Sequence, residues 1–206
     1  MDVIQRALNR VHGGRVLDIA TQAGGFVQLL MDHLQGYSEI VGIDVDARAI
    51  QTARNILGRA GVRFLVMDAE RLGFADGRFD TVSISASLHH LSNVRRVLGE
   101  MRRVLKPGGH FILAEMHRDA QTAAQRTAVS LHHWVAEVDT ALGRLHNRTL
   151  ARQEFVDHIA RLGLRDVACY DAVDTDSDPL DQARIAGLEA LIERTLQRAQ
   201  GASDYS

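Results

Sequence analysis

The sequence predicts an α/β fold, a mostly parallel sheet with helices on both faces, and three observations carry that expectation. Residues 15–31 read as a buried strand, a turn of small residues and a helix. Val16, Leu17 and Ile19 form the apolar run, Ala20 to Gly25 the turn, and Phe26 to Met31 begins the helical pattern. Three apolar segments in succession carry an aspartate at or near their carboxyl ends (Asp18, Asp44 and Asp68), which lines one sheet edge with carboxylates. Beyond Met116 the pattern turns mostly helical, so a helical C-terminal addition is expected.

Taken in order, Val3 to Val11 reads as a short amphipathic helix stopped at His12-Gly13-Gly14. The first strand and its turn follow, then a helix from about Gly25 to Leu34 that Gly36 ends. Glu39 to Asp44 is the second strand. Asp46 caps the next helix, which runs to about Arg59 with Ala49, Ile50, Ala53, Ile56 and Leu57 on its apolar face. Val62 to Asp68 is the third strand and Thr81 to Ala86 the fourth. A helix from Val94 to Leu105 is ended by Pro107 and Gly108, and His110 to Met116 is the fifth strand. Asp119 to about Leu145 reads as a long helix with a break near Gly143, and Leu150 to Leu162 as another, closed by Gly163. Leu164 to Val173 has the β-branched and apolar character of a last strand. An acidic loop over 174–179 and an amphipathic helix over 180–200 complete the chain. One domain is expected over 1–206, with a core at about 13–116, helices at about 117–162, and the final strand and helix at 164–200.

Composition narrows the function classes. With 206 residues, 46% hydrophobic and 24% charged, the chain suits one well-buried domain. A formal charge of -2 argues against a general nucleic-acid grip. No apolar run approaches the ~20 residues that cross a bilayer, and the first residues lack a signal-peptide pattern. Cys169 is the only cysteine, which removes intrachain disulfides and multi-cysteine metal sites and suits a cytoplasmic protein. Lys106, the sole lysine, is followed by Pro107, so there is no Gly-Lys-Ser/Thr phosphate loop. Arg102 stands four residues before it, so a Tyr-x-x-x-Lys dehydrogenase pair is excluded.

A helix N-terminus and free backbone N–H groups at the carboxyl edge of a parallel sheet are where open α/β proteins hold nucleotide-like ligands. The turn from Asp18 to Gly24 resembles the first motif of class I S-adenosylmethionine-dependent methyltransferases, with Ala20 and Gln22 in place of the first two glycines. Alanine still lets a ligand approach the backbone; Gln22 is the larger departure, because a long side chain fits poorly at φ > 0. The segments Phe79-Asp80-Thr81-Val82, Leu88-His89-His90-Leu91 and Glu100 to Gly109 are similar to those of small-molecule members, including the quinone-biosynthesis C-methyltransferase type. The resemblance covers about 13–116, with a looser match over 150–172. It implies the Rossmann-like class I methyltransferase fold, S-adenosylmethionine as cofactor, S-adenosylhomocysteine as product and a small-molecule acceptor. It also implies a cofactor set of Asp18, Ala20, Gln22, Gly24, Asp44, Val45, Asp68, Ala69 and Ser85. Asp44 would accept from the ribose hydroxyls, and Asp68-Ala69 would meet the adenine.

In-line methyl transfer needs no covalent enzyme intermediate, but a general base helps where the acceptor must lose a proton. His89 and His132 are the candidates, with His90 and His117 also near strand ends. His132, Asp139 and His146 recur at seven-residue spacing. They form either a solvated stripe or the lining of an acceptor pocket, while Trp134, Val138, Ala141, Leu142 and Leu145 make the expected apolar face. No metal set is expected, because the adjacent pairs His89-His90 and His132-His133 diverge by roughly 100° on a helix. The Asp174, Asp176, Asp178 series has a calcium-loop spacing, but Pro179 stands where that loop requires glycine. A nicotinamide-dependent oxidoreductase and a non-catalytic S-adenosylmethionine-binding regulator are the alternative readings. The oligomeric state stays open, with a homodimer as one option.

Overall fold

The computed structural model describes residues 3–119, 122–171 and 182–203. Five parallel strands form one sheet: β1 (Gly14–Ile19), β2 (Tyr37–Asp44), β3 (Val62–Val66), β4 (Phe79–Ser85) and β5 (Leu105–Ala114), in the order β3-β2-β1-β4-β5. Seven α-helices lie among the described residues: α1 (Val3–Leu8), α2 (Gly25–His33), α3 (Ala47–Leu57), α4 (Val94–Val104), α5 (Ala123–Ala141), α6 (Arg152–Ala160) and α7 (Gln182–Ser203). This is the expected Rossmann-like architecture.

Two compact units divide the chain. One comprises Met1–Glu115 with Val156–Ala172, the other Met116–Phe155 with Val173–Ser206. The first unit holds the whole sheet. Its chain steps outward from β1 to β3 through α2 and α3, then returns to place β4 on the far side of β1. Because parallel crossovers are right-handed, that reversal puts α2 and α3 on one face and α4 on the other. Val16, Ile40, Val62 and Phe64 pack with Leu8, Val27, Leu30, Ile50, Ala53 and Leu57 as one core. On α4, Val97, Leu98, Met101 and Val104 are buried, and the helix packs on β4 and β5. Gly42 lies in mid-sheet, where a Cβ would come within 2.7 Å of Phe64 Cδ1 and 2.9 Å of Thr21 Oγ1. The missing side chain is the space those two groups occupy.

Several boundaries differ from expectation. Helix α3 ends at Leu57, and Ile56 is exposed because its position lies off the face that Ile50, Ala53 and Leu57 bury. Strand pairing of β5 begins at Leu105, directly after α4, and Lys106 to Gly109 form an irregular step between the pairs Phe79–Leu105 and Thr81–His110. Thus the helix stops before Pro107. No strand forms over the described part of 164–173, residues 164–171, so the sheet ends at β5 among the described residues. Val167 and Tyr170 of that segment stay exposed, with no neighbouring strand to bury them. The acidic loop expected at 174–179 falls outside the described residues.

In the second unit the long helix is shorter than expected: α5 opens on a capping box between Thr122 and Gln125 and is stopped at Gly143, whose φ is 74°. It packs on α7. None of the described helices is long and apolar enough to cross a membrane.

The Phe-Asp and Lys-Pro-Gly-Gly segments serve the amino edge of the sheet. Asp80 accepts from the Lys106 ammonium at 2.5 Å and from the Arg15 N–H at 2.9 Å, joining the starts of β1, β4 and β5. The hydrogen bond from Lys106, then that from Arg15, holds the Asp80 carboxyl below its ordinary range. A lowered folded-state pKa means that the stabilisation is present above the unfolded value of 3.8 and is lost as pH falls through the folded value. Asp80→Asn should therefore lower stability at pH 7 by about 0.2–1 kcal/mol, the range for a partly exposed pair. The difference from wild type should shrink in acid-range denaturant melts.

Candidate functional site at the carboxyl edge

Strand order reverses between β1 and β4, so a crevice opens at their carboxyl ends, where open α/β sheets take ligands. Asp18 stands there, paired in register with Gly42 on one side and Ser83 on the other. It is 1% exposed. Oδ1 accepts from the Ser83 hydroxyl at 2.7 Å, whereas Oδ2 and the buried Thr21 Oγ1 nearby in sequence have no hydrogen-bond partner among the described residues. Burial pushes the Asp18 carboxyl up to about 7, against the opposing bond from Ser83. An orphaned buried carboxylate oxygen suits a ligand that brings a donor or positive charge.

The turn after β1 is a strained one. Ala20 and Gln22 have φ of 52° and 48°, so Gln22 does adopt the left-handed conformation that its side chain disfavours. Asp44 explains how: its Oδ2 accepts from the Gln22 N–H at 2.9 Å, and its Oδ1 from the Asp46 N–H at 2.9 Å. A third left-handed residue, Ala86 (φ 45°), follows β4 at the same edge. Gly24, at φ 91°, caps α2, and a Cβ there would lie 2.6 Å from Leu57 Cδ1, so glycine is what lets α2 and α3 approach.

Asp44 ends β2, half-buried, and Val45 beside it is exposed. Asp68 lies two residues beyond the end of β3, exposed, with Oδ1 accepting from the Glu70 N–H at 2.8 Å. Ala69 is buried. Ser85 ends β4, and its carbonyl accepts from the Ser87 hydroxyl at 2.7 Å. Because β1, β2, β3 and β4 are all parallel, these residues share one edge, as their sequence pattern suggested.

His89 sits in the single 3₁₀ turn Leu88–His90 and is buried. Its Nδ1 is 3.3 Å from Glu115 Oε1, while Glu115 Oε2 accepts from the Leu88 N–H at 2.7 Å. The sequence reading missed Glu115, which follows β5 without any motif. Ser83 was also missed. Its signal was the Thr81-Val82-Ser83-Ile84-Ser85 alternation, which sets small hydroxyl residues on one face of a buried strand.

His132, the other candidate base, lies half-buried on α5 in the second unit, and of the expected apolar face Trp134, Val138 and Leu142 are half-buried. Val129, Val135, Ala136, Asp139 and His146 are buried, whereas Leu145 is 49% exposed and Ala141 is exposed. The polar stripe turns inward because its members satisfy one another: His146 Nδ1 meets Asp139 Oδ2 at 2.9 Å, and Arg198 Nη1 of α7 meets Asp139 Oδ1 at 2.8 Å.

A parallel sheet with carboxylates at its switch point and a strained turn over them is the arrangement in which open α/β proteins hold nucleotide-like ligands. Residues 17–113, just under half of the chain, match the family described as a methyltransferase domain. The ubiquinone/menaquinone biosynthesis C-methyltransferase UbiE of Stutzerimonas stutzeri is 36% identical over 111 residues, 52% of this chain and 43% of its own. A demethylmenaquinone methyltransferase of Thermus thermophilus is 38% identical over 103 residues, 49% of this chain and 46% of its own. The matched region is thus less than half the length of either relative. In fold, the chain is similar to an S-adenosylmethionine dependent methyltransferase from Mesorhizobium loti, with a TM-score of 0.58, 22% identity and 78% of each chain covered.

Two predictions follow from the turn and the buried carboxylate. Gln22→Gly removes a left-handed non-glycine residue and should raise unfolding stability by up to about 1 kcal/mol, while Gln22→Val should lower it. Thermal melts of the two variants check this, and a destabilised glycine variant would contradict the strain. For Asp18 the raised folded-state pKa means that its stabilisation is complete below 3.8 and is lost as pH rises to about 7. Asp18→Asn should therefore gain on wild type as pH rises through that window, with no gain at its acid end, in denaturant melts without ligand.

Proposed function

We propose that the chain is an S-adenosylmethionine-dependent methyltransferase acting on a small-molecule acceptor, with residues 1–206 working as one functional domain. What carries this reading is a coincidence: the segment matching the methyltransferase family is the one whose carboxyl edge holds the orphaned Asp18 oxygen and the Asp44 tether. The cofactor supplies a methyl group already activated on a sulfonium. In this reading Asp18 and the Ala20, Gln22 and Gly24 turn receive its charged methionine end, and Asp44 with Val45 its ribose. Asp68 with Ala69 receives the adenine, and Ser85 borders the crevice.

The chain's remaining task is to hold the acceptor in line and keep water out. His89, oriented by Glu115, and His132 are the candidate general bases for an acceptor that must lose a proton. Residues 117–162, which lie mostly in the second unit, supply acceptor recognition. The quinone-ring specificity named for the relatives belongs to proteins matched over about half of this chain, so the acceptor class is assigned no more narrowly than a small molecule. A cytoplasmic location, with no nucleic-acid or membrane partner, belongs to the same reading. It rests on the single cysteine and the near-balanced charge. The oligomeric state stays open, with a homodimer as one option.

Calorimetry with S-adenosylmethionine, S-adenosylhomocysteine and NAD tests the proposal directly. Wild type should bind the first two and not the third; folded protein that binds neither sulfur ligand would defeat it. Asp44→Ala loses a charged acceptor and should weaken S-adenosylmethionine binding by about 1.5–3 kcal/mol, roughly ten- to 150-fold. Undiminished binding would remove Asp44 from the site.

A further inference from the structure

We propose that His132 and His146 form a binding site for a borderline divalent transition metal of the zinc, nickel or copper type, with Asp139 as the carboxylate that orients His146. The two histidines stand fourteen residues apart, and α5 ends between them. The αL turn at Gly143 returns the chain so that His146 comes back over the helix. Their Nε2 atoms face each other at 3.3 Å, with the rings 73° apart in an edge arrangement. That separation is long for an N–H donor on a nitrogen acceptor. It is, however, the distance between two corners of a tetrahedron around an ion with metal–nitrogen bonds of about 2.0–2.1 Å, which is about 3.3–3.4 Å.

The tautomers agree with this assignment. Asp139 Oδ2, 2.9 Å from His146 Nδ1, takes that nitrogen's proton in a hydrogen bond and so leaves the His146 lone pair on Nε2. A carboxylate–histidine–metal arrangement has this form. His132 joins it in the tautomer protonated at Nδ1. Asp139 is itself held by Arg198 at 2.8 Å and buried, so the ligand pair is fixed from behind rather than assembled on binding.

Donor chemistry selects the ion. Two neutral imidazoles, with the Asp139 carboxylate paired to Arg198, suit zinc, nickel or copper; magnesium and calcium require oxygen donors. The two nitrogens of the second unit leave the ion's other positions open to further donors. With Nε2 on a metal, His132 is no longer a general base, and that role stays with His89. The site is read from the second unit alone and does not depend on the methyl-transfer reading.

The test titrates tag-free full chain with Co2+, read by visible absorption, and with Zn2+, read by calorimetry. The expected result is one equivalent with the intense d–d bands of tetrahedral cobalt, competed away by Zn2+ and untouched by Mg2+ or Ca2+. His132→Gln and His146→Gln, which keep volume and polarity, should each abolish the bands with helical content unchanged by circular dichroism. Asp139→Asn should weaken binding ten- to a hundredfold, the usual cost of losing an orienting carboxylate. Absence of tetrahedral bands in the wild type, or bands that persist in the double glutamine variant, overturns the site and leaves the pair as an ordinary hydrogen bond.

Discussion

Placing a carboxylate in the middle strand of a parallel sheet is the constraint around which the first unit is built. A buried carboxylate costs several kcal/mol unless partners replace its water, and Asp18 is buried from every side. Ser83 supplies one bond, which requires β4 to lie directly beside β1 in the register that pairs Asp18 with Ser83. The chain has already used the other flank of β1 for β2, so β4 must follow the reversal of strand order. That reversal opens the crevice. Among the described residues the second oxygen accepts no hydrogen bond, and burial raises the group's pKa to about 7. Stability alone would favour a leucine there, so the aspartate is a cost that the fold of the first unit does not itself require.

The same economy governs the turn above it. Holding Ala20 and Gln22 in the left-handed region costs roughly 1–2 kcal/mol for each residue, and strain of this kind persists where neighbouring structure imposes it. Asp44 imposes it, by taking the Gln22 N–H before any ligand is present. A loop fixed in advance loses less entropy on binding, so its strain is offset when the ligand arrives. Gly24 and Gly42 do related work by omission, since their missing Cβ atoms let α2 approach α3 and let Phe64 and Thr21 share the space beside β2.

The sheet was legible in the sequence because buried parallel strands are written as apolar runs closed by small or acidic residues, and Asp18, Asp44 and Asp68 marked their common edge. Helix phase was less legible. Ile56 looks like core by type, yet a helix only eleven residues long buries one narrow stripe, and Ile50, Ala53 and Leu57 fill it. The Leu164–Val173 segment has strand composition, but its described residues, 164–171, form no strand, since composition cannot report whether a neighbouring edge is available. Glu115 and Ser83 act through contacts 27 and 65 residues distant in sequence, beyond the reach of any local pattern. Most instructive is α5, whose polar stripe the sequence left as either solvated or pocket-lining. Polar residues face inward when each supplies the other's hydrogen bonds, and no single helix reveals that its partners lie at Arg198 and past its own end at His146.

That inward polar stripe also decides how α7 meets α5. Leu188, Ile192 and Leu196 recur four residues apart on α7 and would ordinarily be its packing face, yet they are 43%, 38% and 46% exposed. Thr195 is instead fully buried, and Arg198 reaches Asp139. The charge pair therefore stands beside the half-buried Ile185 and Leu191 on the packed face of α7. Asp139 is buried, and Arg144 Nη1 at 3.8 Å joins Arg198 as its second cationic neighbour. An apolar α5–α7 contact could have been as stable, but it would not have fixed rotation about the α7 axis, because many rotamers fill an apolar groove equally well. A guanidinium on one carboxylate oxygen and an imidazole on the other leave a single arrangement, and that arrangement is what holds His146 Nε2 against His132.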